Sequence, residues 1–155
     1  MVWRGEPRRG IAAVEMAIVL PVVLLLLVGI WEVGRLVEVQ QLLTNAAREG
    51  GRQASTGVKS SSEVTDVVVR YLQQNGIKSV AASDVSVTNI TSGSRPEPNA
   101  ANQLDQFRVS VSIPFDSVRW VLLSQVSSVK TLTASSEWYS MRDIPITVDA
   151  NIPLQ

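Results

Sequence analysis

One carboxylate stands inside an otherwise uncharged run. Ile11 to Trp31 holds a single charge, Glu15, and Met16 to Trp31 holds none. At about 1.5 Å per residue the run spans about 30 Å, the thickness of a hydrocarbon core. A carboxylate in a membrane helix costs about 2.5–3.5 kcal/mol on insertion scales and usually marks function. The chemistry open to the rest of the chain is narrow. Its 155 residues include no Cys and no His. This excludes thiol nucleophiles, disulfides, Ser-His-Asp and Cys-His catalysis, and zinc sites built on imidazole or thiolate. An oxygen-only metal site or a two-carboxylate enzyme stays open in principle. Asp84, Asp105 and Asp116, however, are scattered in sequence and are expected to be solvated turn residues. There is no Gly-rich phosphate loop and no calcium loop. A Ser-Lys dyad would need Lys59, Lys78 or Lys130 held in a pocket, and nothing in the sequence points to that. The expectation is a protein with no catalytic residue, no cofactor, no metal and no evident small-molecule substrate.

The elements that place Glu15 follow from its flanks. Met1 to Gly10 is polar and basic, with Arg4, Arg8 and Arg9 against Glu6. Basic residues before an apolar span put the N-terminus in the cytoplasm and the remainder outside. Elsewhere, fourteen basic and fourteen acidic residues cancel, so bulk charge gives no reason to expect nucleic acid binding. Three readings fit the span. A cleaved secretory signal needs small residues just after the run, and Val28-Gly29-Ile30-Trp31-Glu32-Val33 is a poor site. A plain anchor explains the hydrophobicity but not Glu15. In the third reading, Glu15 is the partner of a charge created by processing.

The third reading comes from a resemblance. Arg8-Arg9-Gly10-Ile11-Ala12-Ala13-Val14-Glu15 resembles a type IV prepilin processing site. The likeness continues through Met16-Ala17-Ile18-Val19-Leu20-Pro21 and Gly29-Ile30-Trp31-Glu32-Val33-Gly34-Arg35. It ends with Thr44-Asn45-Ala46-Ala47-Arg48-Glu49-Gly50-Gly51-Arg52-Gln53-Ala54. Together these segments resemble the TadE-like minor pilins, or pseudopilins, of the tight-adherence (Flp) pilus system. Two positions depart from that pattern: Gly51 where Ala is commoner, and Met16 where an aromatic residue is usual. The resemblance implies a cut between Gly10 and Ile11 by a prepilin peptidase, with Glu15 as the fifth mature residue. It implies as partners the membrane, that peptidase, and other pilin and pilus-assembly subunits. It implies the bacterial inner membrane as the location, in a single pass, with the N-terminus cytoplasmic and the head extracytoplasmic, in or at the base of a surface pilus.

The physics of such a site can be stated separately. A cut after Gly10 leaves an α-amino group on Ile11 that is cationic at neutral pH. Glu15 lies four residues on, about 6 Å along a helix, so its carboxylate can meet that amine or the amine of a neighbouring subunit. In lipid a paired charge is far less costly than an unpaired one. Pro21 removes one helix hydrogen bond and predicts a kink, which membranes tolerate. Beyond Glu32 the pattern is amphipathic: Leu36, Val39, Leu43, Ala46, Ala47, Gly50 and Ala54 recur at helical spacing. The small residues Ala46, Ala47, Gly50 and Ala54 would let another backbone approach closely. The helix should run as a stalk to about Thr56, with Gly57 stopping it.

The remainder reads as a small head. Ser60-Ser61-Ser62-Glu63 is a capping box opening a helix whose face is Val64, Val67, Val68, Tyr71 and Leu72, with Gly76 as its stop. Asp84 to Ile90 alternates as a strand, Thr91 to Gln103 is a surface loop, and Phe107, Val109, Val111 and Ile113 mark the clearest strand. Phe115 to Ser128 is a short helix or a connecting loop. Val129 to Met141 is a third strand with Leu132, Ala134 and Trp138 on one face. The expected fold is α+β: a long N-terminal helix, then one helix on a three-stranded antiparallel sheet, with a core thin enough to lean on the stalk. The expected division is leader 1–10, span 11–31, stalk 32–56, head 57–141 and extended tail 142–155. Two functions are carried forward: a processed minor pilin or pseudopilin acting by association, and an unprocessed, membrane-anchored extracytoplasmic binding domain. Little supports a third, an anchored enzyme.

Overall fold

A computed structural model describes residues 8–91, 95–119 and 129–142. The leader up to residue 7, most of the segment after Phe115 and nearly all of the tail lie outside the described residues. The fold is α+β. Helix α1 (Arg8–Ser55) is followed by α2 (Ser61–Gln74) and by strands β1 (Val85–Asn89), β2 (Gln106–Pro114) and β3 (Thr131–Tyr139). The strands form one antiparallel sheet in the order β1-β2-β3, with Val87 opposite Val109 and Val111 opposite Ala134.

Helix α1 is 48 residues long and continuous through Pro21, about 72 Å at 1.5 Å per residue. Among the described residues almost nothing packs against its first half. Ile18, Leu25 and Ile30 are among many apolar side chains exposed between Ile11 and Trp31. The helix stops where Gly57 takes a φ of +65°, and the Gly57 N–H donates to the Ala54 carbonyl. Met141 N–H donates to the Ser55 carbonyl at 2.8 Å, so the end of β3 is tied to the end of the stalk.

Helix α2 forms because both ends are closed locally. Ser60 accepts from the Glu63 N–H, and the Glu63 carboxylate accepts from the Ser60 N–H at 2.8 Å, a complete capping box. At the other end Ile77 N–H reaches the Leu72 carbonyl and Gly76 N–H the Gln73 carbonyl. With Gly76 at φ +90° this is a Schellman stop. Val64, Val68 and Leu72 are its buried stripe.

Strand β2 alternates as expected, with Phe107, Val109, Val111 and Ile113 all buried. These side chains share one face of the sheet. Against that face lie α1, over β2 and β3, and α2, beside α1 and over β1. Val39, Leu43, Ala46, Ala47 and Ala54 of α1 are fully buried in the same core, so the head does lean on the stalk. The other face is polar: Arg108 pairs with Glu137 at 2.7 Å across the strands, and the Ser112 and Thr133 hydroxyls lie 3.3 Å apart.

Two expectations need revision. Asp105 is not a solvated turn residue. It is buried, and its carboxylate accepts from Asn102 N–H at 2.8 Å and Asn89 Nδ2 at 3.3 Å. These donors tie the preceding loop to the end of β1. The loop itself is less open than its composition suggests, because a 3-10 turn at Pro98–Ala100 buries Pro98, with Ala101 buried just after it. Asp84 and Asp116 do sit in turns: Asp84 accepts from Ala81 N–H at 2.9 Å, and Asp116 is exposed.

The two adjacent glycines of the stalk answer to different neighbours. A Cβ on Gly50 would lie 2.5 Å from Val68 Cγ2 and 3.0 Å from Val109 Cγ1. One on Gly51 would lie 2.0 Å from Trp138 Cδ1, which is the physical reason for a glycine where Ala is commoner. Val68 and Val109 are fully buried and cannot withdraw, whereas Trp138 is only half-buried. Overpacking a core costs about 1–3 kcal/mol, and Ala returns about 0.5–1 kcal/mol of helix preference. Gly50→Ala is therefore expected to lower the unfolding temperature of the purified chain. Gly51→Ala should cost less but change Trp138 fluorescence, because the indole must swing off the helix.

The α2 cap also sets a pH dependence. The Ser60 backbone N–H, then its hydroxyl, hold the Glu63 carboxyl below its ordinary range. A lowered folded-state value means that the stabilisation is complete above the unfolded-state value, about 4.3. It fades as pH falls through the lowered one. Unfolding temperatures of the full chain in detergent should lose that acid-side component in Glu63→Gln.

Candidate functional site

The sequence singles out Gly10, Ile11 and Glu15, and the structure places all three on the exposed surface of α1. A Cβ built on Gly10 would meet nothing within 4 Å. This fold therefore makes no demand for glycine there. Ile11 is 60% exposed, and among the described residues Glu15 has no ion-pair partner within the chain. From Gly10 the helix is long and apolar enough to cross a membrane, and none of its most apolar stretch is buried by the rest of the protein. Pro21 sits in that stretch without breaking the helix.

The small residues are placed differently. Ala46, Ala47, Gly50 and Ala54 are all buried, and at Gly50 the neighbours are Val64, Val68 and Val109 of the chain's own head. The close approach read from these positions is here made by α2 and β2 of the same molecule. A different strip of α1 stays open. Leu36, Val37, Gln40, Gln41, Thr44 and Asn45 line a groove of about 390 Å³, and the Gln40 side chain reaches over to the Thr133 carbonyl at 2.9 Å.

A further constellation was not read from the sequence. Glu32, one residue past the apolar run, and Arg119, just after β2, form a buried pair with Nη1 and Oε1 3.9 Å apart. Their side chains are only 7% and 3% exposed. Among the described residues neither Glu32 oxygen has a hydrogen-bond partner, and neither do Nε and Nη1 of Arg119. The Arg119 Nη2 is better held, 2.7 Å from Asp116, and the guanidinium lies 5.0 Å from the Phe115 ring centre. Beside them, Arg35 donates from Nε to the Val118 carbonyl at 3.1 Å and from Nη1 to Glu38 at 2.9 Å. These contacts fasten one end of the head to α1 just past its apolar run. The one available signal was Glu32 itself, a carboxylate directly after a membrane-length run, but its partner is too distant in sequence to be found by spacing. Among the described residues no group of three or more His, Cys, Asp or Glu is arranged to hold a metal ion.

The charges of this junction are unequally compensated, and that gives an asymmetric expectation. Without Arg119 the buried Glu32 is stranded, which for a buried pair costs about 3–5 kcal/mol. Without Glu32, Arg119 still has Asp116. Arg119→Met should therefore destabilise the full-length protein in thermal unfolding far more than Glu32→Met does. The double variant should recover most of the loss, because replacing both partners with apolar groups is often near neutral.

Residues 10–52 match the family model described as TadE-like protein. The match begins at the exposed glycine and ends within the buried part of the stalk. It covers the span and most of the helix that carries the head, and agrees with the resemblance of the N-terminal third. No curated protein and no solved structure matches the chain.

Proposed function

We propose that the chain is a minor pilin or pseudopilin that takes part in assembly of a tight-adherence pilus. It is made as a prepilin, inserted with its N-terminus in the cytoplasm, and cut between Gly10 and Ile11 by a prepilin peptidase. It acts by association with other pilus subunits and has no chemistry of its own. The observation that carries this reading is Gly10. A glycine in an exposed helix costs about 0.5–1 kcal/mol relative to Ala, and nothing in the fold requires one at this position. The requirement is then imposed from outside, by an agent that must approach the backbone closely. Ile11 and Glu15 follow at the prepilin spacing, and the TadE-like match begins at the same residue. Glu15 supplies the carboxylate for the Ile11 amine of this chain or of a neighbour, a pairing that matters most where the surroundings are lipid.

Intact-mass measurement on protein made beside a cognate peptidase is expected to show loss of Met1 to Gly10. Gly10→Val should retain them, because the branched side chain crowds the site. Glu15→Val should insert and be cut but fail to co-purify with other pilus subunits from membranes. A mature protein that still begins at Met1 in the presence of active peptidase would overturn the pilin reading in favour of an unprocessed, anchored binding domain. Normal assembly of Glu15→Val would limit the site to processing.

A further inference from the structure

Strand β3 is an edge of the described sheet. Its backbone groups turn alternately toward β2 and away from it. The Lys130 carbonyl accepts from Phe115 N–H, and Ser140 N–H donates to the Asp105 carbonyl, both on the β2 side. The odd-numbered residues therefore face outward. Two outward groups are already met by α1: the Thr133 carbonyl by Gln40 and Met141 N–H by the Ser55 carbonyl. Between them the outward N–H and C=O groups of Ser135, Glu137 and Tyr139 meet no partner among the described residues. An open edge of this kind is a template for another strand. On its α1 side the edge borders the groove that holds Leu36, Val37, Gln40, Thr44 and Arg48. Ser136 and Trp138 are left half-buried on that side of the sheet. Arg48 is exposed and has no ion pair among the described residues.

Residues 143–155, outside the described part of the chain, carry a complementary pattern. Ile144, Ile146, Val148, Ala150, Ile152 and Leu154 alternate with Pro145, Thr147, Asp149, Asn151 and Pro153, the period of a strand with one apolar face. The segment contains Asp143 and Asp149 and no Lys or Arg, opposite in sign to Arg48. One antiparallel register fits it to the edge: Thr147 opposite Tyr139, Asp149 opposite Glu137 and Asn151 opposite Ser135. The apolar residues then lie on the α1 side, beside Trp138, Ser136 and the groove. Pro145 falls opposite Met141 and Pro153 opposite Thr133, the two positions where α1 already interrupts the ladder. The prolines, which cannot donate, thus stand at the ends of the pairing. The chain's own tail cannot enter this register by a short hairpin, because its return would start beside Met141, where Ser55 stands. A neighbouring copy meets no such obstacle. Gln40 lies beside Thr133 and Gly51 beside Trp138, so β3 runs in the direction of α1, away from the apolar run. With two stalks side by side in one membrane, the neighbour's tail starts at the far end of its head and runs back along the edge, antiparallel to β3. Resting on the reading above of an anchored protein that acts by association, we propose that residues 146–152 of one copy add as a strand to the β3 edge of a second copy.

The chain has no Cys, so introduced thiols report only on each other. In this register Ser136 and Ala150 form a non-hydrogen-bonded pair, whose Cα atoms lie about 4.5 Å apart, within disulfide range. Two differently tagged full-length copies, one Ser136→Cys and one Ala150→Cys, are expressed together and their membranes oxidised with copper phenanthroline. A disulfide-linked heterodimer is expected on non-reducing gels. Asn151→Cys in place of Ala150→Cys puts the thiol on the opposite face of the strand and should lose most of that band. Asp149→Pro in the Ala150→Cys copy removes the central ladder donor and should abolish it. No heterodimer, or one that forms equally from Asn151→Cys or survives Asp149→Pro, would overturn the proposal. So would a single chain carrying both Ser136→Cys and Ala150→Cys that oxidises to a linked monomer without dimer, which would give the edge to the chain's own tail. Alkaline carbonate treatment of the same membranes tells the failures apart. Release of the chain without detergent removes the anchored reading, whereas retention with no heterodimer rejects the strand pairing alone.

Discussion

Between Ala46 and Ala54 one face of α1 is nearly bare of side chain, and the head is assembled against that bare strip. Ala46, Ala47, Gly50 and Ala54 bring the backbone of the helix into the core alongside Val64, Val68 and Val109. A sheet of three strands with one helix of fourteen residues encloses little apolar volume by itself, and small cores are marginal. The stalk supplies the missing wall. Its apolar residues there are small because a larger side chain would lever α2 and β2 apart and open voids that interiors do not tolerate. Gly51 extends the same constraint to the edge of the sheet, where the Trp138 ring occupies the space that a Cβ would need.

One helix thus presents two kinds of surface, one bare and apolar, the other packed against the head. Up to Trp31 its side chains are mostly exposed and, apart from Glu15, apolar from Ile11 on, and at Glu32 burial by the head begins. The boundary is marked by charge: Glu32 and Arg119, Arg35 and Glu38, Arg119 and Asp116 all lie within one or two turns of it. Ionic groups are costly in a hydrocarbon layer, so this cluster marks where the membrane-length apolar stretch ends. The Glu32–Arg119 contact is loose at 3.9 Å and lacks hydrogen bonds. Its contribution is to position the head, while stability comes from the core above it.

The parts legible in the sequence are those whose causes are local. The apolar run announces α1 because its length and hydropathy are properties of consecutive residues. Ser60 and Glu63 close a cap three residues apart, Gly76 closes the other end, and strict alternation exposes β2. The α+β fold followed from these. What was not legible depends on distant contacts. The stripe of small residues said that something comes close but not that it would be the chain's own head. Asp105 had the appearance of a turn residue until Asn89 and Asn102 enclosed it. Arg119 was unremarkable beside a loop of ambiguous pattern, and only the fold brings it to Glu32. The reason for Gly51 required Trp138, which lies at the other end of the head in sequence.

The continuity of α1 through Pro21 has a mechanical consequence. From Pro21 to Ser55 the helix runs about 51 Å, and its last third is clamped into the head. The part of α1 beyond Pro21 and the head are therefore one continuous body. A bend of about 20° at the proline, the size at which helix kinks are recognised, swings the far end by about 17 Å. A change of packing around a few residues of the apolar stretch would thereby be amplified into a displacement of the far end, with no joint needed between them.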